Sequence, residues 1–284
     1  MLTILEALKL SEKYLEQKGI DSPRLNAELL LADILKSKRL DLYLLFERPL
    51  SENEITAYRE SIRRRGTFEP LQYIVGNVEF YNCNLVVNKS VLIPRPETEL
   101  LVEIILAEYK NKTGLKVLDI GTGSGNIAVA LAKNSESFCI TAIDVSKDAL
   151  SVAERNAKIN YVHEKINFIQ LDINSESQNL KREYDIIVSN PPYISKVDFL
   201  GLQQEILKYE PESALTDYHD GLSFYRTISQ KAKHLLVSGG NLYFEIGQGQ
   251  ESAVEEIMKK NNFTRIEIKK DLQNINRVIK GILN

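Results

Sequence analysis

Asn190, Pro191, Pro192 and Tyr193 stand at the end of Tyr184-Asp185-Ile186-Ile187-Val188, an apolar, β-branched run that reads as a buried strand. This placement sets an amide, a carbonyl and an aromatic face around something small and planar. Asn-Pro is also an ordinary turn signal, so the rest of the chain has to decide between the two readings. A second group of residues helps. Val117-Leu118-Asp119-Ile120 reads as a strand running into Gly121-Thr122-Gly123-Ser124-Gly125 and then a helix. The missing side chains at 121, 123 and 125 let backbone approach a ligand, and some of these positions call for positive φ. Asp144 ends the next strand, where a carboxylate can take hydrogen bonds from ribose hydroxyls. Asp172 closes a third strand in a similar place. Open α/β sheets bind ligands at this carboxyl edge.

The glycine spacing separates several chemistries. A dinucleotide fingerprint, G-x-G-x-x-G, needs glycine where the chain has Asn126, and no G-x-x-x-x-G-K-[ST] occurs. Cys83 and Cys139 make no metal-ligand spacing with the three histidines. Neither suits a nucleophile: Cys139 is expected in a buried strand and Cys83 as packing in a hairpin. A covalent cysteine mechanism and a structural metal are therefore not expected.

The elements that position these residues alternate strand and helix. Strands are expected at Lys116–Ile120, Phe138–Ile143, Ile166–Gln170, Tyr184–Val188, Asn241–Ile246, Phe263–Lys269 and Arg277–Lys280, with helices near 125–133, 147–159, 221–235 and 250–261. This alternation predicts an open, largely parallel α/β sheet with an antiparallel member among the last two strands.

Ahead of it, residues 1–75 read as helical. Ser22-Pro23 is an N-cap with Pro at the first helical position, and Ser51-Glu52-Asn53-Glu54 fits a capping box. Arg63-Arg64-Arg65 reads as a solvated last turn favoured by the helix dipole. Gln72–Gly76, Val78–Phe80 and Leu85–Val87 read as short strands, the basis for a β-hairpin linker over 76–92 and a main domain over 93–284. Pro94 and Pro96 hold a rigid turn around Arg95 before a helix to about Tyr109.

An apolar fraction of 43% supports a real core, and no apolar run is long enough to span a bilayer. The start has no basic segment before its first apolar residues, which predicts no signal peptide and a cytoplasmic protein. Net charge is −3, and residues 1–90 carry as many acidic as basic side chains, which disfavours a nucleic-acid surface.

The compact G-x-G-x-G with an acidic residue before it resembles class I S-adenosylmethionine-dependent methyltransferases, which have a Rossmann-like seven-stranded sheet. In that family Asp119 would lie beside the methionine end, Gly121 to Gly125 under the sulfonium, and Asp144 at the ribose. Asn-Pro-Pro-Tyr resembles the motif of members acting on planar nitrogens. The Asn190 oxygen and the Pro191 carbonyl would accept the substrate N–H groups, and Tyr193 would pack on the planar group.

A closer resemblance covers the full length. Its segments are Pro70 to Gly76 with Phe80, Ile93 to Glu99, Asp119 to Gly125 and Ser189 to Ile194. It continues through Glu210-Pro211 with Ala214-Leu215, Asp220-Gly221-Leu222 with Tyr225-Arg226, and Glu245-Ile246-Gly247 with Gln250. Together they resemble the bacterial peptide chain release factor N5-glutamine methyltransferase family, the PrmC or HemK group. That resemblance implies S-adenosyl-L-methionine as methyl donor, S-adenosyl-L-homocysteine as product, and class 1 release factors as partners; a monomer is expected. It places the cofactor on Gly121, Thr122, Gly123, Ser124, Gly125, Asp144, Ile173 and Asn190; Asp119, from the class I resemblance, and Asp172, from its place at a strand end, are expected beside them. The glutamine of a Gly-Gly-Gln loop would meet Asn190, Pro191, Pro192 and Tyr193. Ile173 departs from an aromatic residue seen in some members, and Asp271 to Arg277 lacks the usual glycine. The competing reading is a DNA or RNA adenine or guanine N-methyltransferase, which would need a basic face or a target-recognition insert.

Overall fold

The structure, a computed structural model, describes residues 2–175 and 180–284. It divides into two units: Met1–Gly76 with Gln203–Tyr209, and Asn77–Leu202 with Glu210–Asn284.

The first unit is helical, with α1 (Ile4–Gln17), α2 (Pro23–Leu35), a 3-10 turn over Arg39–Leu44, α3 (Glu52–Arg65) and α4 (Leu71–Val75). Thr3 and Glu6 form a capping box at α1, and Ser51 and Glu54 form the expected one at α3. Ser22 does precede α2, but it is left-handed at φ 49 and its side chain caps nothing. The neighbouring carbonyls of Asp21 and Ser22 are instead taken by Asn26 Nδ2.

Two further expectations fail in this unit. Residues 72–75 form helix rather than strand: Leu71, Ile74 and Val75 pack against the core around Leu30, Leu31 and Ile62. Gly76 ends the turn at φ 83. A short apolar run carries no period that separates strand from helix, so packing decides. Arg65 is not solvated: it is 6% exposed, and its guanidinium donates to Asn26 Oδ1 at 2.7 Å and the Glu69 carbonyl at 3.0 Å. It also pairs with Glu205 at 2.7 Å, on a short helix far along the chain, α9 (Gln204–Tyr209). Only Arg63 behaves as a solvated last-turn residue.

The second unit opens with an antiparallel hairpin, β1 (Asn77–Phe80) and β2 (Cys83–Val86). Tyr81 and Asn82, at φ 41 and 61, make its two-residue turn. Then follow α5 (Thr98–Glu108), β3 (Leu115–Ile120), α6 (Asn126–Asn134), β4 (Phe138–Asp144), α7 (Lys147–Ile159), β5 (Ile166–Gln170) and β6 (Tyr184–Ser189). After α8 (Lys196–Phe199) come α10 (Ser223–Leu235), β7 (Leu236–Glu245), α11 (Glu251–Lys260), β8 (Phe263–Lys270) and β9 (Asn276–Leu283). The sheet order is β5-β4-β3-β6-β7-β9-β8. The first five are parallel, and β9 runs antiparallel to both neighbours.

Strand alternation divides the core into two layers. Val117, Ile186, Val188 and Tyr243 pack with α5 and α6, while Leu118, Ile187, Leu242 and Phe244 pack with α10 and α11. Cys139 takes the exposed alternate of β4, beside buried Phe138 and Ile140, which corrects its expected burial. A strand can be central while one of its residues faces solvent. Cys83 is buried, and burial pushes its thiol up to about 11, so it is a poor nucleophile.

Candidate active site

The strand order reverses between β3 and β6, and the loops leaving these two strands bound a crevice at the carboxyl ends. A cavity of about 540 Å³ lies there. Its walls come from Gly121 to Ser124 after β3, Asp144 to Ser146 after β4, Leu171 to Asn174 after β5, and Ser189 to Pro192 after β6. Ser90, Pro94, Arg95 and Thr98 add a further wall from the segment that leads into α5.

The glycine loop shows why small residues stand where they do. Gly121, Gly123 and Gly125 have φ of 72, 55 and 78. A Cβ at Gly121 would meet nothing within 4 Å, so this backbone lies open. Gly125 has a different task. A Cβ there would come within 3.0 Å of Ala153 Cβ, and the residue is absent from the cavity wall. It permits close packing of α6 on α7.

Two carboxylates shape the loop. Asp144 accepts the Gly123 N–H and the Ser146 N–H, each at 2.9 Å, and lines the cavity; burial raises its pKa. Asp119 lies beneath the loop rather than in the wall. It is 1% exposed and accepts the Thr122 hydroxyl at 2.6 Å. Burial, with the charge of Asp144 adding, pushes its carboxyl up to about 7. Asp172 lines the cavity while accepting from Asn174 and Ser175, and Ile173 beside it joins the apolar core.

At β6, Ser189 anchors the strand end by donating to the Ile120 carbonyl at 2.7 Å. Asn190, Pro191 and Pro192 follow in the wall. Tyr193 does not line the cavity; its ring packs toward the β7 side of the core and its hydroxyl lies 3.5 Å from Glu245. Its backbone is gripped. Gln250 Nε2 donates to the Tyr193 carbonyl at 2.9 Å, and a Cβ at Gly221 would collide with the same carbonyl. A Cβ at Gly247 would come within 3.0 Å of the Tyr193 ring. Gly221 and Gly247 therefore both help to seat Tyr193.

Thr98 and Glu245, which sequence reasoning left without a role, complete the site together with Arg95 of the rigid turn. Asn190 Nδ2 donates to Thr98 Oγ1 at 3.2 Å, and the Thr98 hydroxyl donates to Glu245 Oε2 at 2.6 Å. Burial pushes the Glu245 carboxyl up to about 7. Arg95 pairs with buried Glu210 at 2.6 Å, and the other Glu210 oxygen accepts the Ile93 N–H at 3.1 Å. Glu245 carried a signal, a charged residue at the end of an apolar strand, whereas Thr98, between Glu97 and Glu99, carried none. Their partnership across the fold had no local trace.

Among the described residues, no group of three or more His, Cys, Asp or Glu side chains could hold a metal ion, and no helix is long and apolar enough to cross a membrane.

Similar proteins agree with this architecture. The PrmC N-terminal domain family matches residues 6–76, and the methyltransferase small domain family matches 96–217. A solved Pyrococcus furiosus methyltransferase has TM-score 0.52 at 18% identity, covering 70% of this chain and 88% of its own. The hMettl16 catalytic domain has TM-score 0.56 at 14% identity, covering 81% and 82%. Both show the class I methyltransferase fold. At sequence level, the release factor glutamine methyltransferase of Chlorobaculum tepidum is 40% identical, over 97% of this chain and 95% of its own. Those of Leptospira interrogans (44%, over 86% and 85%) and Bacillus subtilis (37%, over 100% and 99%) are also similar. With that identity over nearly its whole length, the chain belongs to the release factor glutamine methyltransferase family.

Proposed function

We propose that this chain methylates the side-chain amide nitrogen of the glutamine in the Gly-Gly-Gln loop of class 1 release factors, with S-adenosylmethionine as donor. One observation carries the reading: Asn190 and Pro191 share a cavity with the glycine loop and Asp144, in a chain of this family.

The residues present suit the donor. The open backbone at Gly121 leaves space against the loop that a side chain would fill. Asp144 offers carboxylate oxygens to ribose hydroxyls, Asp172 lies beside it, and Ile173 supplies an apolar wall for a base. Thr122, Gly123 and Ser124 form the floor; Asp119 and Gly125 act from behind by fixing the loop. When bound, the donor supplies an electrophilic methyl group on a sulfonium.

The protein supplies orientation. A carboxamide lone pair is delocalised, so the nitrogen is a poor nucleophile until it is aimed. Asn190 Oδ1 and the Pro191 carbonyl each accept one N–H of the incoming amide, which turns its face toward the donor. Proline adds no N–H to this edge, and so keeps it rich in acceptors. Pro192 continues the wall, and Tyr193 holds the turn through its seat on Gly221, Gly247 and Gln250. Positioning of an already activated donor provides the main rate gain. Such an enzyme works where translation terminates, in the cytoplasm, as a single chain.

The test is transfer of labelled methyl from donor to intact release factor, beside a version whose Gly-Gly-Gln glutamine is alanine. Label is expected on the intact protein only. Equal labelling of both, or stronger transfer to RNA, would sink the assignment.

A further inference from the structure

The Asn190 side chain has two faces that look alike in shape and opposite in chemistry. One end accepts hydrogen bonds and the other donates them. Rotation by half a turn about the last side-chain bond exchanges them within the same volume. For the reading above, on which this inference rests, Oδ1 must face the substrate nitrogen. An amide turned the other way would set N–H against N–H.

Two residues outside the Asn-Pro-Pro-Tyr segment decide which end faces the substrate. Thr98 is 1% exposed and its hydroxyl carries one proton. With Glu245 ionised, that proton is committed to its Oε2 at 2.6 Å. Toward Asn190, at 3.2 Å, Thr98 Oγ1 can therefore only accept, and it must be met by Nδ2. Glu245, also 1% exposed, gives Thr98 an acceptor that water cannot displace. With Nδ2 held in this way, Oδ1 is turned away from Thr98.

We propose that Thr98 and Glu245 are positioning residues for methyl transfer, forming a relay that locks the Asn190 amide with its oxygen presented to the substrate nitrogen. The donor groups of Asn190 and Thr98 are oriented in series from one buried carboxylate. Neither Thr98 nor Glu245 needs to touch the reacting nitrogen.

The test uses full-length protein and intact release factor, with Thr98→Val, Thr98→Ser and Glu245→Met beside wild type and Asn190→Ala. Each is measured for kcat, for KM of the release factor and for affinity toward S-adenosylhomocysteine. Thr98→Val keeps the shape and removes the hydroxyl, and should lower kcat by about tenfold or more, the worth of about one hydrogen bond once the Asn190 amide is free to turn. Affinity and KM should stay within about threefold, less than one such bond is worth. Thr98→Ser should recover most of the rate. Glu245→Met, which leaves Thr98 without its acceptor, should lose kcat in the same way.

A Thr98→Val rate within about twofold of wild type would overturn the relay, since that is less than a typical hydrogen bond contributes. So would loss of donor affinity or folding together with the rate, or failure of Thr98→Ser to recover it; each marks a structural role. A full rate in Glu245→Met would overturn it too. These results differ from failure of the activity itself, in which wild type would leave the release factor unlabelled.

Discussion

Asn190 and Thr98 are 92 positions apart in the chain, yet the amide of one donates to the hydroxyl of the other at 3.2 Å. The Asn-Pro-Pro-Tyr turn is thus joined to the start of α5. The rigid Pro94-Arg95-Pro96 segment before that helix serves as more than a helix start.

Asn190→Ala should lower kcat by at least about 100-fold, as expected when a group that orients the reacting centre is removed. Donor affinity should change far less, because the glycine loop and Asp144 remain. Calorimetry with S-adenosylhomocysteine beside steady-state kinetics separates the two. Parallel loss of affinity and rate would assign Asn190 mainly to the donor.

Asp144→Ala should act the other way. It removes the acceptors proposed for the donor's ribose and also frees the Gly123 N–H. Two charge-assisted hydrogen bonds at stake imply roughly 2–4 kcal/mol, or about 30- to 1,000-fold in donor affinity. The kcat at saturating donor should fall much less. Unchanged affinity would place the ribose elsewhere.

Asp119 and Glu245 both sit near pKa 7 through burial, above their ordinary values of 3.8 and 4.5. Because the folded values are raised, the fold holds protons that the unfolded chain has already released across this interval. Stability from these two groups is fully present below about pH 4 and is lost as pH rises through about 7. Asp119→Asn should flatten its part of that decline in denaturant midpoint against pH. Activity runs in the opposite direction. Glu245, with Tyr193, Glu97 and Arg277 around it, must be ionised to take the Thr98 proton without returning one. The kcat should therefore rise with pH through about 7, and a rate flat between pH 6 and about 8 would contradict the relay's charge state.

Gly221→Ala should cost about 1–3 kcal/mol of stability. The residue has φ 77, and its Cβ would strike the Tyr193 carbonyl that Gln250 also holds. Because that carbonyl belongs to the Asn-Pro-Pro-Tyr turn, kcat should drop with the melting temperature. Gly239→Ala, also at positive φ but with nothing within 4 Å, should pay the backbone strain alone and keep its rate.

By itself the sequence determined the alternating strands and helices of the sheet, the glycine loop, the carboxylates at strand ends and the Asn-Pro-Pro-Tyr turn. Each is written in neighbouring residues, through period-two burial, required positive φ or proline geometry, and so is readable locally. Tertiary structure decided the rest. Residues 72–75 became helix because a core was there to receive Leu71, Ile74 and Val75. Arg65 became buried because Asn26, Glu69 and Glu205 converge on it from three parts of the chain. Asp119, Gly125 and Tyr193 moved from the cavity wall to its support, and Cys139 turned outward from a central strand. Thr98 and Glu245 gained their relation to Asn190 only when β6, β7 and α5 came together. A hydrogen bond between residues so distant in sequence leaves no periodicity and no spacing; it exists only once the sheet has brought their strand and helix ends to one edge.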